Sequence, residues 1–295
     1  MAKDDKDFYG YDPSLAAAIV TIIIFAILTT LHLILLFKTR TWFCIPFTIG
    51  ALFEVIGFIT RALGHTNRYY IASKPGPLVY FIIQAVLILL APLFFAASVY
   101  MFLSRIIRAT GHTSYSPVCT KWLTKIFVGG DFLCLNIQST GASMLTNAKG
   151  NAKKADLGTN IVMTGLVLQI VIFAFFVGVA GVWHRRMRSG PGAPGKHPVG
   201  ANGWDWERYM WMLYVASGII TARNLYRVVE YAMGEDGYLL MNEWSVYVLD
   251  ALPMVVVLVV CARWYVGDLS GLLRERGEEV EMMVDGERRG TVRSE

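Results

Sequence analysis

Cysteine is scarce in this chain, with four in 295 residues. Cys44, Cys134 and Cys261 fall inside long apolar runs and Cys119 in a connecting segment, so neither a disulfide framework nor a metal-ligand spacing is implied. Histidine is almost absent at depth. Only His32 sits inside an apolar run, whereas zinc-dependent hydrolysis of lipid amides needs several. No lysine lies deep in a run, which excludes a retinal protein. There is no Walker A pattern and no stretch left over for a soluble nucleotide-binding domain, so the chain does not hydrolyse ATP on its own account. Asn-x-Ser/Thr sequons are missing, as are the Asp-Arg-Tyr and Asn-Pro-x-x-Tyr motifs of seven-span receptors.

What the chain has is hydrocarbon. It is 55% hydrophobic with a mean hydropathy of +0.48, more than a soluble domain of this length can hide beneath a polar skin. Crossing a bilayer takes about 20 consecutive apolar residues. Seven such runs are legible: 14–37, 42–63, 78–104, 122–146, 158–183, 208–231 and 244–266. The connections are short except His184–Glu207, whose centre Gly190–Gly195 is rich in glycine and proline. The predicted fold is all-α, a single bundle of seven transmembrane helices over 14–266. A short tail (1–13) precedes it and a charged tail (267–295) follows. The first thirteen residues are acidic rather than basic, and the first run exceeds a signal-peptide core, so it is read as a retained helix.

Charge placement predicts the orientation. With the N-terminus outside, the cytosolic segments carry sixteen Lys and Arg and the external segments seven, the asymmetry of the positive-inside rule. The charged tail is then cytosolic, solvated, and available to a cytosolic partner.

Several charges fall within the runs, where each costs roughly 2.5–3.5 kcal/mol at a helix centre unless paired or hydrated. Glu54, Gly57 and Arg61 share one face of the second run; Arg223, Arg227 and Glu230 share one face of the sixth. Asp131 and Gln138 lie together on the fourth run, and Tyr247, Asp250 and Met254 on the seventh. Gln84 and Gln169 add amides on the third and fifth. Each run thus has one polar stripe to turn inward while the rest meets lipid. At about 1.5 Å per residue, the stripes crowd the middle and outer half of the bundle. This predicts a polar chamber opening outward, built from Glu54, Arg61, Gln84, Asp131, Gln138, Arg223, Arg227, Glu230, Tyr247 and Asp250. Pro92 and Pro253 should bend their helices and are candidate hinges. Gly178, Gly181 and Gly218 are expected to permit close helix contact, and Trp42, Trp122, Trp183 and Trp244 to anchor at the interfaces.

In order and on the right helices, these residues form a recognisable set. Glu54-x-x-Gly57-Phe58-x-x-Arg61 is followed by Gln84, Leu90-Ala91-Pro92 and Ala96-Ala97-x-x-Tyr100-Met101-x-Leu103-x-Arg105. Then come Asp131, Gln138 and Gly141, and the block Arg223-x-x-x-Arg227-x-x-Glu230-x-x-x-Gly234-x-x-Gly237. Glu243-x-x-x-Tyr247-x-x-Asp250-x-x-Pro253-Met254 closes the set. The chain resembles the fungal lipid-translocating exporter family, seven-span proteins named for resistance to aminocholesterol. It departs from that pattern after Gln138, where Ser139-Thr140-Gly141-Ala142 replaces a glycine-rich patch. It departs again at Cys261-Ala262-Arg263-Trp264-Tyr265, where relatives end in His-Pro.

The resemblance implies a plasma-membrane transporter that exports or flips an amphiphile toward the outer leaflet and confers tolerance to lipophilic toxicants. The cargo would be a sphingoid base, sterol-like compound, phospholipid or porphyrin. Such a protein acts on membrane lipids, without cofactor, catalytic residue or nucleic-acid partner. The carboxylates would take a cationic headgroup or protons, and the arginines would hold them or meet a phosphate. The competing expectation is a seven-span receptor for a lipid-like ligand, which the orientation and the basic cytosolic segments also fit.

Overall fold

The computed structural model describes residues 14–70, 76–147, 151–189, 205–234, 237–239 and 241–263. The expected tails (1–13, 267–295), the loop centre Gly190–Gly195 and the pair Trp264-Tyr265 lie outside the described residues. Apart from short connections, those described form seven long helices: α1 Leu15–Thr39, α2 Ile45–Tyr70, α3 Gly76–Thr110, α4 Thr120–Thr146, α5 Ala152–Ser189, α6 Trp206–Ala232 and α7 Glu243–Arg263. The helices overrun the apolar runs at several ends, most of all in α5. Its basic last turn (Arg186, Arg188) suits a helix C-terminus, where cations meet the negative end of the macrodipole.

Their ends are set by ordinary capping. The Ser14 side chain accepts from the Ala17 N–H to start α1, and Arg40 closes it at φ 53°, with its N–H on the Leu36 carbonyl. Asp205 caps α6 by accepting from the Arg208 N–H. Gly111 (φ 76°) and Gly234 (φ 73°) take the left-handed conformation just past α3 and α6, which glycine adopts without steric cost.

The helices pack in chain order around a ring, α1 on α2 through to α6 on α7, and α7 closes on α1; α3 also meets α6 across the middle. Phe95, Tyr100, Leu103, Ile106 and Ile107 of α3 are all fully buried. Around the outside the large apolar side chains point away from the bundle, among them Val20 and Ile27 of α1, Phe132 of α4, Phe175 of α5, Trp211 of α6 and Val259 of α7. Such a continuous apolar exterior is the signature of a lipid-facing surface. The chain is an integral, multi-pass membrane protein.

Five helices (α1, α2, α3, α5 and α7) are long and apolar enough to cross a membrane by composition alone. The two others are the ones loaded with polar groups: α6 carries Glu207, Arg208, Arg223, Arg227 and Glu230, and α4 carries Asp131, Asn136 and Gln138.

The expectation about glycine needs correcting. A Cβ on Gly178, Gly181 or Gly218 would meet nothing within 4 Å, because these positions face outward. Close contact occurs elsewhere. A Cβ on Gly141 of α4 would lie 2.7 Å from the Gly158 carbonyl oxygen of α5, and one on Gly158 would lie 3.0 Å from the Gly141 oxygen. Backbone therefore meets backbone along the α4–α5 seam. Gly50 does the same for α2 and α3, where an added Cβ would come within 2.8 Å of the Ala91 oxygen, while one on Gly57 would come within 2.9 Å of the Ile88 side chain.

Candidate functional site

The helical stripes do turn inward, and five of the expected charges converge. Arg223 of α6 donates from Nε to Oδ1 of Asp250 on α7 at 2.6 Å; the two residues are 2% and 1% exposed. Arg227, one turn further along α6, bonds to the other oxygen of Asp250 and donates from Nη1 to Glu230 at 2.8 Å. Tyr226 donates its hydroxyl to Glu230 at 3.1 Å. Glu54 of α2 is 1% exposed and lies within Coulombic range of Asp250, Arg223 and Arg227, while its Oε2 has no hydrogen-bond partner. This tier sets three carboxylates against two guanidinium groups. Desolvation of such groups rivals their mutual attraction, so the tier is weak evidence for stability and better evidence for a task.

Two backbone irregularities place these groups. Proline has no N–H, so Pro92 leaves the carbonyl four residues earlier on α3 without its helical donor; that residue is Ile88. Arg223 fills the position, donating from Nη2 to the Ile88 oxygen at 3.0 Å. The expected hinge thus acts as a socket for a guanidinium. In α7, Val246–Ala251 winds as a π-helix with the Leu252 N–H on the Tyr247 carbonyl, just before Pro253. A π-turn adds a residue to the local repeat, and this one carries both Tyr247 and Asp250. Gln84, one turn before Ile88 on α3, is buried.

A second tier lies nearer the end where α7 begins. Arg61 of α2 donates to Glu243 at 3.0 Å and to the Tyr247 hydroxyl at 3.2 Å, and that hydroxyl donates to Glu243 at 3.2 Å. Both Glu243 oxygens also stand 2.8 Å from the Ser14 backbone N–H. One carboxylate thus joins the start of α1, Arg61 of α2 and the start of α7. Glu243 is absent from the expected site, since it sits at the mouth of a run. Its place four residues before Tyr247 was the available signal.

Asp131 and Gln138 belong to neither tier. The Asp131 carboxyl accepts from the Tyr100 hydroxyl at 2.7 Å, and its Oδ1 has no partner. Tyr100 in turn packs among Phe127, Phe173 and Phe176, with ring centroids 5.4, 5.9 and 4.6 Å away. Gln138 donates to Gln169 across the α4–α5 seam at 2.9 Å. The one chamber expected from the stripes is therefore a set of directly bonded groups in four places.

A cavity of about 50 Å³ lies toward the other end of the bundle. It is lined by His32 of α1, Phe43 and Cys44 before α2, Phe47 and Thr48 of α2, Ser98, Val99 and Phe102 of α3, Met212, Leu213 and Ala216 of α6, and Cys261 of α7. Its surroundings are largely apolar, and the His32 ring packs on Phe47 at 5.0 Å. Among the described residues no cluster of three or more His, Cys, Asp or Glu is arranged to hold a metal ion.

A family profile described as "RTA1 like protein" matches residues 47–271. Among curated relatives from Saccharomyces cerevisiae, Protein RTM1 is 30% identical over 224 residues, covering 73% of this chain and 65% of that protein. Protoporphyrin uptake protein 1 is 28% identical, covering 88% of this chain and 92% of its own length. A sphingoid long-chain base transporter, RSB1, is 25% identical, covering 90% and 75% respectively. No solved structure matches. The chain belongs to the RTA1-like family.

Proposed function

We propose that this RTA1-like protein moves an amphiphilic small molecule across the bilayer, exporting or flipping it toward the outer leaflet and so conferring tolerance to lipophilic toxicants. The observation that carries the reading is the inner tier. Glu54, Asp250 and Glu230 outnumber Arg223 and Arg227 by one, all deep in the bundle, and one Glu54 oxygen is unpartnered. A surplus buried carboxylate is a place for a cationic amine headgroup or a proton. Support comes from relatives whose names describe transport of a sphingoid long-chain base and uptake of protoporphyrin.

All seven helices cross the membrane in this reading, with the N-terminus outside and the protein in the plasma membrane. The apolar outward faces of α4 (Phe132, Leu133) and α6 (Trp211, Leu225) support spans for the two helices with the most polar composition. Their charges are spent inward, on α3 and α7. The Arg61–Glu243–Tyr247 tier then lies toward the outside and closes the bundle above the Asp250 tier. Asp131 is a separate carboxyl, fit to carry a proton beside the path.

The experiment is reconstitution. Purified full-length protein in liposomes is given a fluorescent long-chain amine, a phospholipid or a porphyrin, with and without a proton gradient. At least one amphiphile should change leaflet faster than in protein-free liposomes, and Asp250→Asn should remove at least nine-tenths of that rate, about the tenfold that 1.4 kcal/mol represents. Rates equal to empty liposomes for all three, or full activity in folded Asp250→Asn, would overturn the proposal.

A further inference from the structure

We infer that the end of the bundle where α1 passes to α2, α3 stops and α4 begins binds the phosphate monoester headgroup of an anionic lipid, held by Arg105 and Arg108 of α3. The site is separate from the carboxylate tiers. Only its assignment to the inner leaflet rests on the orientation proposed above.

Charge of one sign gathers at this end. Between Asp12 and Asp131 the chain has a single acidic residue, Glu54, and that one is buried among the ion pairs of the inner tier. The same stretch brings Lys38, Arg40, Arg105, Arg108, Lys121 and Lys125 here.

Arg105 is the telling residue. Its Cζ stands 4.2 Å over the ring of Phe43, in the short connection between α1 and α2. A ring meets the face of a guanidinium, which leaves the N–H edge to a further acceptor. Among the described residues no carboxylate pairs with Arg105 or Arg108, and the Arg105 side chain donates no hydrogen bond. Arg105 is only part-buried, and none of its nitrogens is sealed off as the Nε of Arg227 is.

Arg108 follows three residues on, a helical neighbour within Coulombic range of Arg105. It is exposed, with Nη2 donating to Ser104 Oγ at 3.1 Å; Ser104 in turn donates to the Thr120 carbonyl at the start of α4, also at 3.1 Å. Two guanidinium groups held together without an anion repel, and a partly desolvated one is unfavourable until it is paired. The arginine fork matches the oxygens of a phosphate. Two forks match the charge of roughly −2 that a monoester carries near neutral pH.

Depth identifies the source as lipid. Trp42 precedes Phe43, Trp122 follows Thr120 by two positions, and the pair are 55% and 59% exposed. Such outward tryptophans sit at headgroup level, and an anion reaching Arg105 there comes with acyl chains attached. At ~1.5 Å per residue Arg105 is about 25 Å along α3 from Ile88, so this site and the Asp250 tier do not overlap.

The test titrates purified full-length protein in detergent micelles with phosphatidic acid, phosphatidylglycerol and phosphatidylcholine, counting bound lipid by native mass spectrometry. Phosphatidic acid should bind about tenfold more tightly than phosphatidylcholine. It should also outbind phosphatidylglycerol, whose phosphate is a diester, and inorganic phosphate in excess should not displace it. Arg105→Gln and Arg108→Gln should each weaken phosphatidic acid about tenfold; Arg105→Lys, which keeps the charge but loses the fork, should weaken it less. Arg185→Gln removes an exposed charge at the same end and should leave the affinity unchanged. Melting temperature in phosphatidylcholine micelles certifies the fold, and should Arg105→Gln misfold, Arg108→Gln decides.

An equal loss in Arg185→Gln, no preference for phosphatidic acid, or displacement by inorganic phosphate would overturn the inference. Asp250→Asn separates this site from the transport reading, since it should stop leaflet exchange and leave phosphatidic acid bound. Selective binding by a native protein that moves no amphiphile would sink the transport reading alone; exchange without selective binding would sink the lipid site alone.

Discussion

Replacing Pro92 by alanine pits two effects of known sign against each other. Alanine in a helix interior is better than proline by up to ~3 kcal/mol, so on local grounds α3 should gain stability. The same change restores an N–H facing the Ile88 carbonyl, which Arg223 occupies at 3.0 Å. A hydrogen bond from a charged donor contributes roughly 1.5–3 kcal/mol. The carbonyl has a second lone pair, so sharing weakens the arginine's anchor by about half, on the order of 1 kcal/mol, rather than removing it. The helix gain therefore wins in stability and the anchor loss wins in function. Thermal unfolding in detergent should show Pro92→Ala no less stable than the native protein. Leaflet exchange in liposomes should fall about fivefold, the factor that 1 kcal/mol represents. Pro92→Gly separates this account from a hinge: glycine keeps the backbone free but restores the N–H, so transport should fall there too. Native flux in Pro92→Ala, or native flux in Pro92→Gly alone, would refute the socket.

Three other outcomes follow from the packing. Gly141→Ala sets a methyl 2.7 Å from the Gly158 oxygen and should cost about 1–3 kcal/mol, whereas Gly178→Ala, with nothing within 4 Å, should be close to neutral; equal melting temperatures would contradict the seam. Glu243→Ala takes an acceptor from Arg61, from the Tyr247 hydroxyl and from the Ser14 N–H at once and should destabilise by about 1–3 kcal/mol. Proteolysis near Ser14 should rise in parallel, and an unaltered cleavage pattern would show that the carboxylate does not hold α1. Asp131→Asn keeps an oxygen for the Tyr100 hydroxyl, so the protein should fold normally while proton-dependent transport falls at least tenfold; unchanged transport would remove Asp131 from the path.

The fold was legible because lipid makes a crude demand that composition answers directly. Seven apolar runs became seven long helices, and stripes spaced at three and four residues turned Glu54, Arg61, Arg223, Glu230 and Asp250 inward. Pairing between helices was less legible, since spacing along one helix says nothing about rotation relative to another. Arg61 therefore met Glu243 rather than Glu54, and Asp131 met a tyrosine rather than an arginine. The glycine reading failed for the same reason: Gly178 and Gly141 look alike in sequence, and only the orientation of α4 and α5 distinguishes a seam from an outer face. Pro92 was noticed for what it removes from its own helix. What it offers to a neighbour appears only when α6 lies alongside.

The backbone-to-backbone seam of α4 and α5 has a consequence for how such a bundle could change shape. Where Gly141 meets Gly158, backbone rests on backbone with no side chain between them to re-rotamerise, so sliding there means losing contact outright. Long side chains at other boundaries can instead swing and re-form. The pair must therefore travel as one strut, taking Asp131, Phe127, Phe173 and Phe176 with it. Relative displacement is left to the borders with α3 and α6, where the moving parts would meet the ion-paired core.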